Sequence, residues 1–86
     1  MSETAAAFAA AQVKIKTVSS LGTDVLLNLY ALYKQGSAGD VAGSRPGMLD
    51  IKGRAKFDAW AGKKGQSQAQ AQAAYVALVE KLTQGK

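Results

Sequence analysis

Tyr30, Tyr33 and Lys34 stand at a spacing that puts two phenols and an ammonium on one flank of a helix, because residues three and four apart are surface neighbours there. Ring faces of that kind can hold a nucleobase or a ribose, and the ammonium and hydroxyls can donate to phosphate. Lys52 and Lys56 form a second pair four apart, with Arg54 between them on a different face. Plainer roles exist for both sets. Tyrosines at this spacing also sit at a core edge with the hydroxyl in water, and paired lysines also line a solvated flank. Trp60 reads most simply as a core residue. Catalysis has much less to draw on. The chain has no His and no Cys, which excludes Ser-His-Asp hydrolysis, His-based proton transfer, zinc hydrolysis, thiol chemistry, disulfides and iron–sulfur clusters. Asp50 and Asp58 are too few and too far apart to argue for a carboxylate pair, and no Gly-x-x-x-x-Gly-Lys phosphate loop is present. The expectation is no catalytic residue, no metal site and no cofactor.

The elements that must position these side chains belong to a small unit. With 86 residues, 48% of them apolar and 20% charged, the chain is expected to form a single domain over 1–86. At this mass a folded chain exposes roughly 4,800 Å². Charge is uneven. Residues 1–44 balance Lys14, Lys16 and Lys34 against Glu3, Asp24 and Asp40, whereas residues 45–64 set six basic side chains against Asp50 and Asp58. A basic middle section suggests an anionic partner, although a solvated lysine-rich face would look the same. The longest apolar runs, such as Ala5 to Ala11, are too short to span a bilayer, and no secretory signal is visible. A cytoplasmic location is the expectation.

Helical spacing dominates and no alternating β-branched run occurs. A first helix over about 3–18 would carry Phe8, Ala11, Ile15 and Val18 as one stripe. Ser19-Ser20-Leu21-Gly22 breaks it, Gly22 being free to take positive φ, and Thr23 or Asp24 is placed to cap a second helix over about 24–37. That helix presents Leu26, Leu29, Tyr30 and Tyr33 on one side, with Val25 and Leu32 widening the apolar face and Gly36 weakening its far end. A loop follows from Gly36 to Asp50, with a turn expected at Pro46-Gly47. Asp50 would cap a third helix over about 51–63, and Gly65 would end it. Ser67 and Gln70 make a capping-box pattern that opens a fourth helix over about 68–83. Its predicted apolar face is Ala69, Ala73, Val76 and Val79, flanked by Ala71, Tyr75, Leu78 and Leu82. The fold class is all-α, a four-helix bundle whose connection order periodicity does not reveal.

The order of the residues adds to this. Tyr-Ala-Leu-Tyr-Lys-Gln (30–35), Gly39-Asp40, Arg-Pro-Gly-Met-Leu-Asp (45–50), Gly-Arg-Ala-Lys-Phe-Asp-Ala-Trp (53–60) and Lys64-Gly65 together resemble the acyl-coenzyme A-binding protein family from about residue 23 to the end. The resemblance implies an up-down-down-up bundle that binds medium- to long-chain acyl-CoA thioesters one to one without chemistry, buffering and transporting them. It also implies the site. The head group would be held by Tyr30, Tyr33, Lys34, Lys52, Lys56, Tyr75 and a helix-one lysine, Lys16, or Lys14 in another register. An apolar groove beside the second helix, lined by Leu26, Leu27, Leu29, Met48 and Leu49, would cover the acyl chain. The chain departs from the family in lacking the proline before the second helix, in having Gly36 after Lys-Gln, and in Phe57 where tryptophan is usual.

Acyl-CoA carries about four negative charges, which suits lysines gathered from two helices. Other classes fit less well. A nucleic-acid binder is compatible with a pI near 9.7, but the excess charge is confined to one section and no DNA-binding motif occurs. A protein-interaction bundle would need a long exposed apolar stripe, and an enzyme would need a nucleophile and a base. The expected partners are the acyl-CoA ligand and the enzymes that make or consume it, with no nucleic acid, no stable membrane insertion and a monomeric state.

Overall fold

The computed structural model describes residues 3–84, which hold four α-helices and no strand. Helix α1 spans Glu3–Lys14, α2 Thr23–Ala38, α3 Ile51–Ala61 and α4 Gln68–Thr83. The α-helical part of α1 stops short of the predicted end, and Ile15–Thr17 form a 3₁₀ turn. Three of the four residues at this point, Ile15, Thr17 and Val18, are β-branched and poor at continuing a helix. Thr17 Oγ1 donates to the Lys14 carbonyl at 2.8 Å and consolidates the tighter turn.

Helix α2 starts without the expected side-chain cap. Gly22 is the N-cap residue, in an extended conformation (φ −68°, ψ 159°), and Thr23 is already helical. Asp24 instead lies in the first turn, where a carboxylate favours the positive end of the helix dipole. The far end is stronger than expected. The helix continues through Gly36 to Ala38, because Gly36 is the point where α2 presses against its neighbours. A Cβ there would stand 3.0 Å from Gln72 Cγ and 3.1 Å from Phe8 Cζ. Gln72 Nε2 donates to the Gly36 carbonyl at 2.9 Å and Gln68 Nε2 to the Ser37 carbonyl at 3.1 Å, so α4 satisfies carbonyls that the helix end leaves open.

In the following loop the turn lies two residues later than predicted. The Asp50 N–H donates to the Gly47 carbonyl at 3.0 Å, placing Met48 and Leu49 at the centre. Asp50 caps α3 as expected, accepting from the Gly53 N–H at 3.0 Å. Helix α3 ends at Ala61, two residues early, and further turns carry the chain to Gly65 at φ +98°, a conformation that suits glycine. The Gly65 N–H donates to Asp40 Oδ1 at 3.0 Å. The capping box of α4 is complete in both directions between Ser67 and Gln70.

Phe8–Tyr75 and Lys14–Glu80 contacts run in the same sense along α1 and α4, which are therefore parallel. The Gly36–Gln72 and Ser37–Gln68 bonds run in opposite senses, so α2 is antiparallel to α4. Lys56 over Tyr30 and Lys34 over Trp60 place α3 parallel to α2. The bundle is up-down-down-up, with α1 packed on α4, α4 on α2, and α2 on α3. The result is a slab of 38 × 30 × 15 Å, and its flatness explains a surface of 5630 Å², larger than the sequence length alone suggests.

The core is Phe8, Ala11, Leu29, Leu32, Ala71, Tyr75 and Val79, with Ile15, Leu21, Val25, Val76, Leu78 and Leu82 packed around it. The buried line of α4 is therefore Ala71, Tyr75 and Val79, at steps of four. Ala69 and Ala73, predicted to face inward, are exposed. Trp60 is not in the core either, lying half-buried on α3 against the end of α2.

Candidate functional site

Two cation–ring pairs join α2 to α3. Lys56 Nζ stands 5.5 Å from the centre of the Tyr30 ring, and Lys34 Nζ stands 4.8 Å from that of Trp60. Each pair links one turn of α2 to the matching turn of α3, so the parallel packing brings the two lysines to one side of the molecule. The attraction comes from the negative face of the ring. Trp60 is fixed for this task, because its indole N–H donates to the Gly39 carbonyl at 2.8 Å.

Tyr33 lies on the same flank of α2 and is 39% exposed. Its ring is 6.2 Å from that of Phe8, which in turn meets Tyr75 edge-on at 5.1 Å and 88°. Phe8 thus connects the aromatic flank of α2 to α4. Tyr75 is almost fully buried, and burial, with a smaller contribution from Tyr33, pushes its phenol above the ordinary tyrosine value. Lys52 is exposed one turn before Lys56 on α3. Lys16 is exposed in the 3₁₀ turn after α1, whereas Lys14 is held by Glu80 at 2.9 Å across the α1–α4 contact.

The apolar residues predicted to form one groove are dispersed. Leu29 is only 7% exposed and packs in the core, because its face of α2 meets α4. Leu26 is half exposed on α2, beside the tyrosine flank. Leu27 lines an open cavity of about 300 Å³ between α2 and α3, together with Ala31, Ala59, Asp24, Asn28 and Lys63. Met48 and Leu49 project from the loop turn into solvent.

Spacing along the chain gave no sign of two features. Trp60 carries a cation that comes from 26 positions away, and Arg45 clamps Asp58 through two hydrogen bonds, at 2.9 and 2.6 Å. That clamp straps the α2–α3 loop to α3, and the guanidinium holds the Asp58 carboxyl below its usual range. At the base of the same loop Asp40 accepts from the Gly65 N–H and from Gln35 Nε2, which lower its carboxyl likewise. Gln35 is fully buried and also donates to the Gln66 carbonyl at 2.8 Å. Among the described residues no group of acidic side chains could hold a metal ion. The arrangement gathers phenols, an indole and ammoniums on one side of the α2–α3 packing.

The family model described as acyl CoA binding protein matches residues 5–79, and so takes in α1 as well as the segment from about residue 23 that carries the motifs. Acyl-CoA-binding protein homolog 1 of Caenorhabditis elegans is 57% identical over 75 residues, covering 86% of this chain and 85% of its own. The acyl-CoA-binding protein of Saccharomyces cerevisiae is 47% identical over 73 residues, covering 80% and 84%. The crystal structure of acyl-CoA-binding protein 2 of Oryza sativa superposes with a TM-score of 0.89 at 36% identity, over 92% of this chain and 87% of that one. With nearly the whole chain matched by the family model, and with relatives of this identity, the chain belongs to the acyl-CoA-binding protein family.

Proposed function

We propose that this protein binds fatty acyl-CoA thioesters one to one, without catalysing a reaction on them, and buffers and carries them in the cytoplasm as a monomer. The observation that carries the reading is the pair of ammoniums, Lys34 and Lys56, set over rings on one side of the α2–α3 packing, next to Tyr30 and Tyr33. A CoA head group offers a purine for the rings and phosphates for the cations. Lys52 adds charge one turn away, Lys16 supplies it from the turn after α1, and the Tyr75 edge closes the aromatic side. The acyl chain would lie along Leu26, with Leu27, Met48 and Leu49 folding over it. Each methylene withdrawn from water contributes at most about 0.8 kcal/mol.

Titration calorimetry with palmitoyl-CoA, free CoA and palmitate tests this. Tight 1:1 binding of the thioester, with both fragments far weaker, is the expected result. Lys34→Ala and Lys56→Ala should each weaken thioester binding by about 1.5–3 kcal/mol, the range of a hydrogen bond to a charged group. Equal affinity for octanoyl- and palmitoyl-CoA would refute the apolar half of the site. Release of free CoA from palmitoyl-CoA by the protein would refute the non-enzymatic reading.

A further inference from the structure

The ring that receives Lys34 is not held by its own helix alone. The Trp60 indole N–H donates to the Gly39 carbonyl at 2.8 Å, and that carbonyl belongs to the peptide plane shared by Gly39 and Asp40. Gly39 lies at φ +87° and ψ −151°, a conformation that suits glycine and whose backbone freedom leaves the plane in need of an outside hold. Asp40 supplies it. Its Oδ1 accepts from Gln35 Nε2 at 2.8 Å and from the Gly65 N–H at 3.0 Å. Gln35 is fully buried and uses the same amide nitrogen a second time, on the Gln66 carbonyl at 2.8 Å, so it cannot swing away from Asp40 without breaking both bonds. Gly65 stands at φ +98°, where the α3–α4 loop brings its N–H to Asp40. One carboxylate oxygen thus gathers α2, the α2–α3 loop and the α3–α4 loop beside the indole. Neither Asp40 nor Gly65 belongs to the lysine–tyrosine strip.

We propose that Asp40 is a positioning residue for the head-group site: by fixing the Gly39–Asp40 peptide it holds the Trp60 ring where Lys34 rests on it, and so sets ligand affinity from outside the strip. The gain is preorganisation. An ammonium on a flexible four-carbon stem loses rotamer freedom when a phosphate recruits it, and a fixed ring that already confines it meets part of that cost beforehand. The ring keeps Lys34 on the side of the α2–α3 packing where Lys56 also stands, from which a phosphate has only to draw it off the indole. The route is short: a carboxylate, one peptide plane and the indole N–H. Its consequence for affinity rests on the function proposed above, whereas the placement of the indole does not.

The test compares Asp40→Ala, which removes the acceptor, with Asp40→Asn, which keeps an oxygen for both donors. Asp40 is exposed, so neither replacement opens a cavity. In the ligand-free full chain, the indole N–H resonance of Trp60, the only tryptophan, should move and exchange faster with solvent in Asp40→Ala. In Asp40→Asn it should stay near its wild-type position. In calorimetry at a temperature where every variant is folded, Asp40→Ala should weaken palmitoyl-CoA and octanoyl-CoA alike, by about fivefold, and Asp40→Asn by no more than about twofold. In a Trp60→Phe background, which lacks the indole N–H, Asp40→Ala should cost no further affinity. A role in stability alone would lower the thermal midpoint and leave these affinities in place. An unmoved indole resonance in Asp40→Ala, an unchanged affinity, or a loss that persists in full without the indole would each overturn the proposal. So would a loss that grows with acyl length, since the acyl half of the site would then be responding. Absence of thioester binding by the wild type would sink the ligand assignment, and the indole resonance would then decide by itself whether Asp40 positions Trp60.

Discussion

Lys34 and Trp60 make the ligand state readable from one side chain. Trp60 is the only tryptophan, its indole N–H is anchored on Gly39, and an ammonium stands 4.8 Å from its ring. A phosphate that recruits Lys34 must draw the cation off that ring, which changes the electrostatic field on the indole. Palmitoyl-CoA should therefore shift Trp60 emission. Lys34→Ala should remove most of that shift at ligand saturation, whereas Lys56→Ala, whose cation sits on Tyr30, should lower affinity and keep it. A shift of full size in the saturated Lys34→Ala protein would mean that the cation does not move. The sequence shows half of this arrangement. Residues Tyr30, Tyr33 and Lys34 share a flank because i+3 and i+4 neighbours always do on a helix. The ring under Lys34 was not legible, since nothing in local spacing says which turn of α3 lies opposite which turn of α2. Leu29 was misplaced for a related reason. A helix with apolar residues on much of its circumference does not reveal which of them meets the next helix and which meets solvent.

At the scale of elements, the α2–α4 contact depends on one missing methyl group. Gly36 costs α2 about 1 kcal/mol of helix propensity relative to alanine, yet an alanine Cβ would crowd Gln72 Cγ, Phe8 Cζ and the Gln72 backbone nitrogen, at 3.0, 3.1 and 3.3 Å. These atoms belong to two different helices and one is backbone, so they cannot all yield. Overpacking costs about 1–3 kcal/mol, and Gly36→Ala is expected to be destabilising by about 1 kcal/mol net, measured by urea denaturation. A gain in stability would show that α4 can shift away. Helix boundaries near capping residues were the most legible part of the fold. The Ser67–Gln70 box and the Asp50 cap announce α4 and α3 because those side chains satisfy N–H groups only at a helix start. Ser67→Ala should cost about 1 kcal/mol in the same measurement. Periodicity alone runs α1 and α3 past their ends, and propensity reads the Gly36 region as loop because it penalises glycine without seeing the helix that packs against it.

For the molecule as a whole, charge and loop anchoring set the response to pH and salt. Asp40 and Asp58 both have folded-state carboxyl values below the ordinary one, through the Gly65 N–H and Gln35 in one case and Arg45 in the other. A depressed carboxyl contributes stability in full above its unfolded value, and that contribution is lost as pH falls through the folded one. Stability should thus decline on acidification below about pH 4, and Asp40→Asn should flatten that decline when urea midpoints are compared across pH. Salt acts on the other function of charge. The formal net charge is +5, concentrated in the section that carries Lys52 and Lys56, and the proposed ligand brings about four negative charges. Attraction between separated charges is screened within about 10 Å at 0.1 M salt, whereas contacts already made at short range are screened much less. The association rate of palmitoyl-CoA should therefore fall steeply with ionic strength while dissociation changes little, as stopped-flow Trp60 emission would record. Lys63→Glu, which reverses a charge outside the proposed lysine–tyrosine strip, should slow association and leave dissociation close to that of the wild type. If salt instead accelerated dissociation and left association unchanged, the basic section would act only through direct contacts and the long-range attraction would be absent.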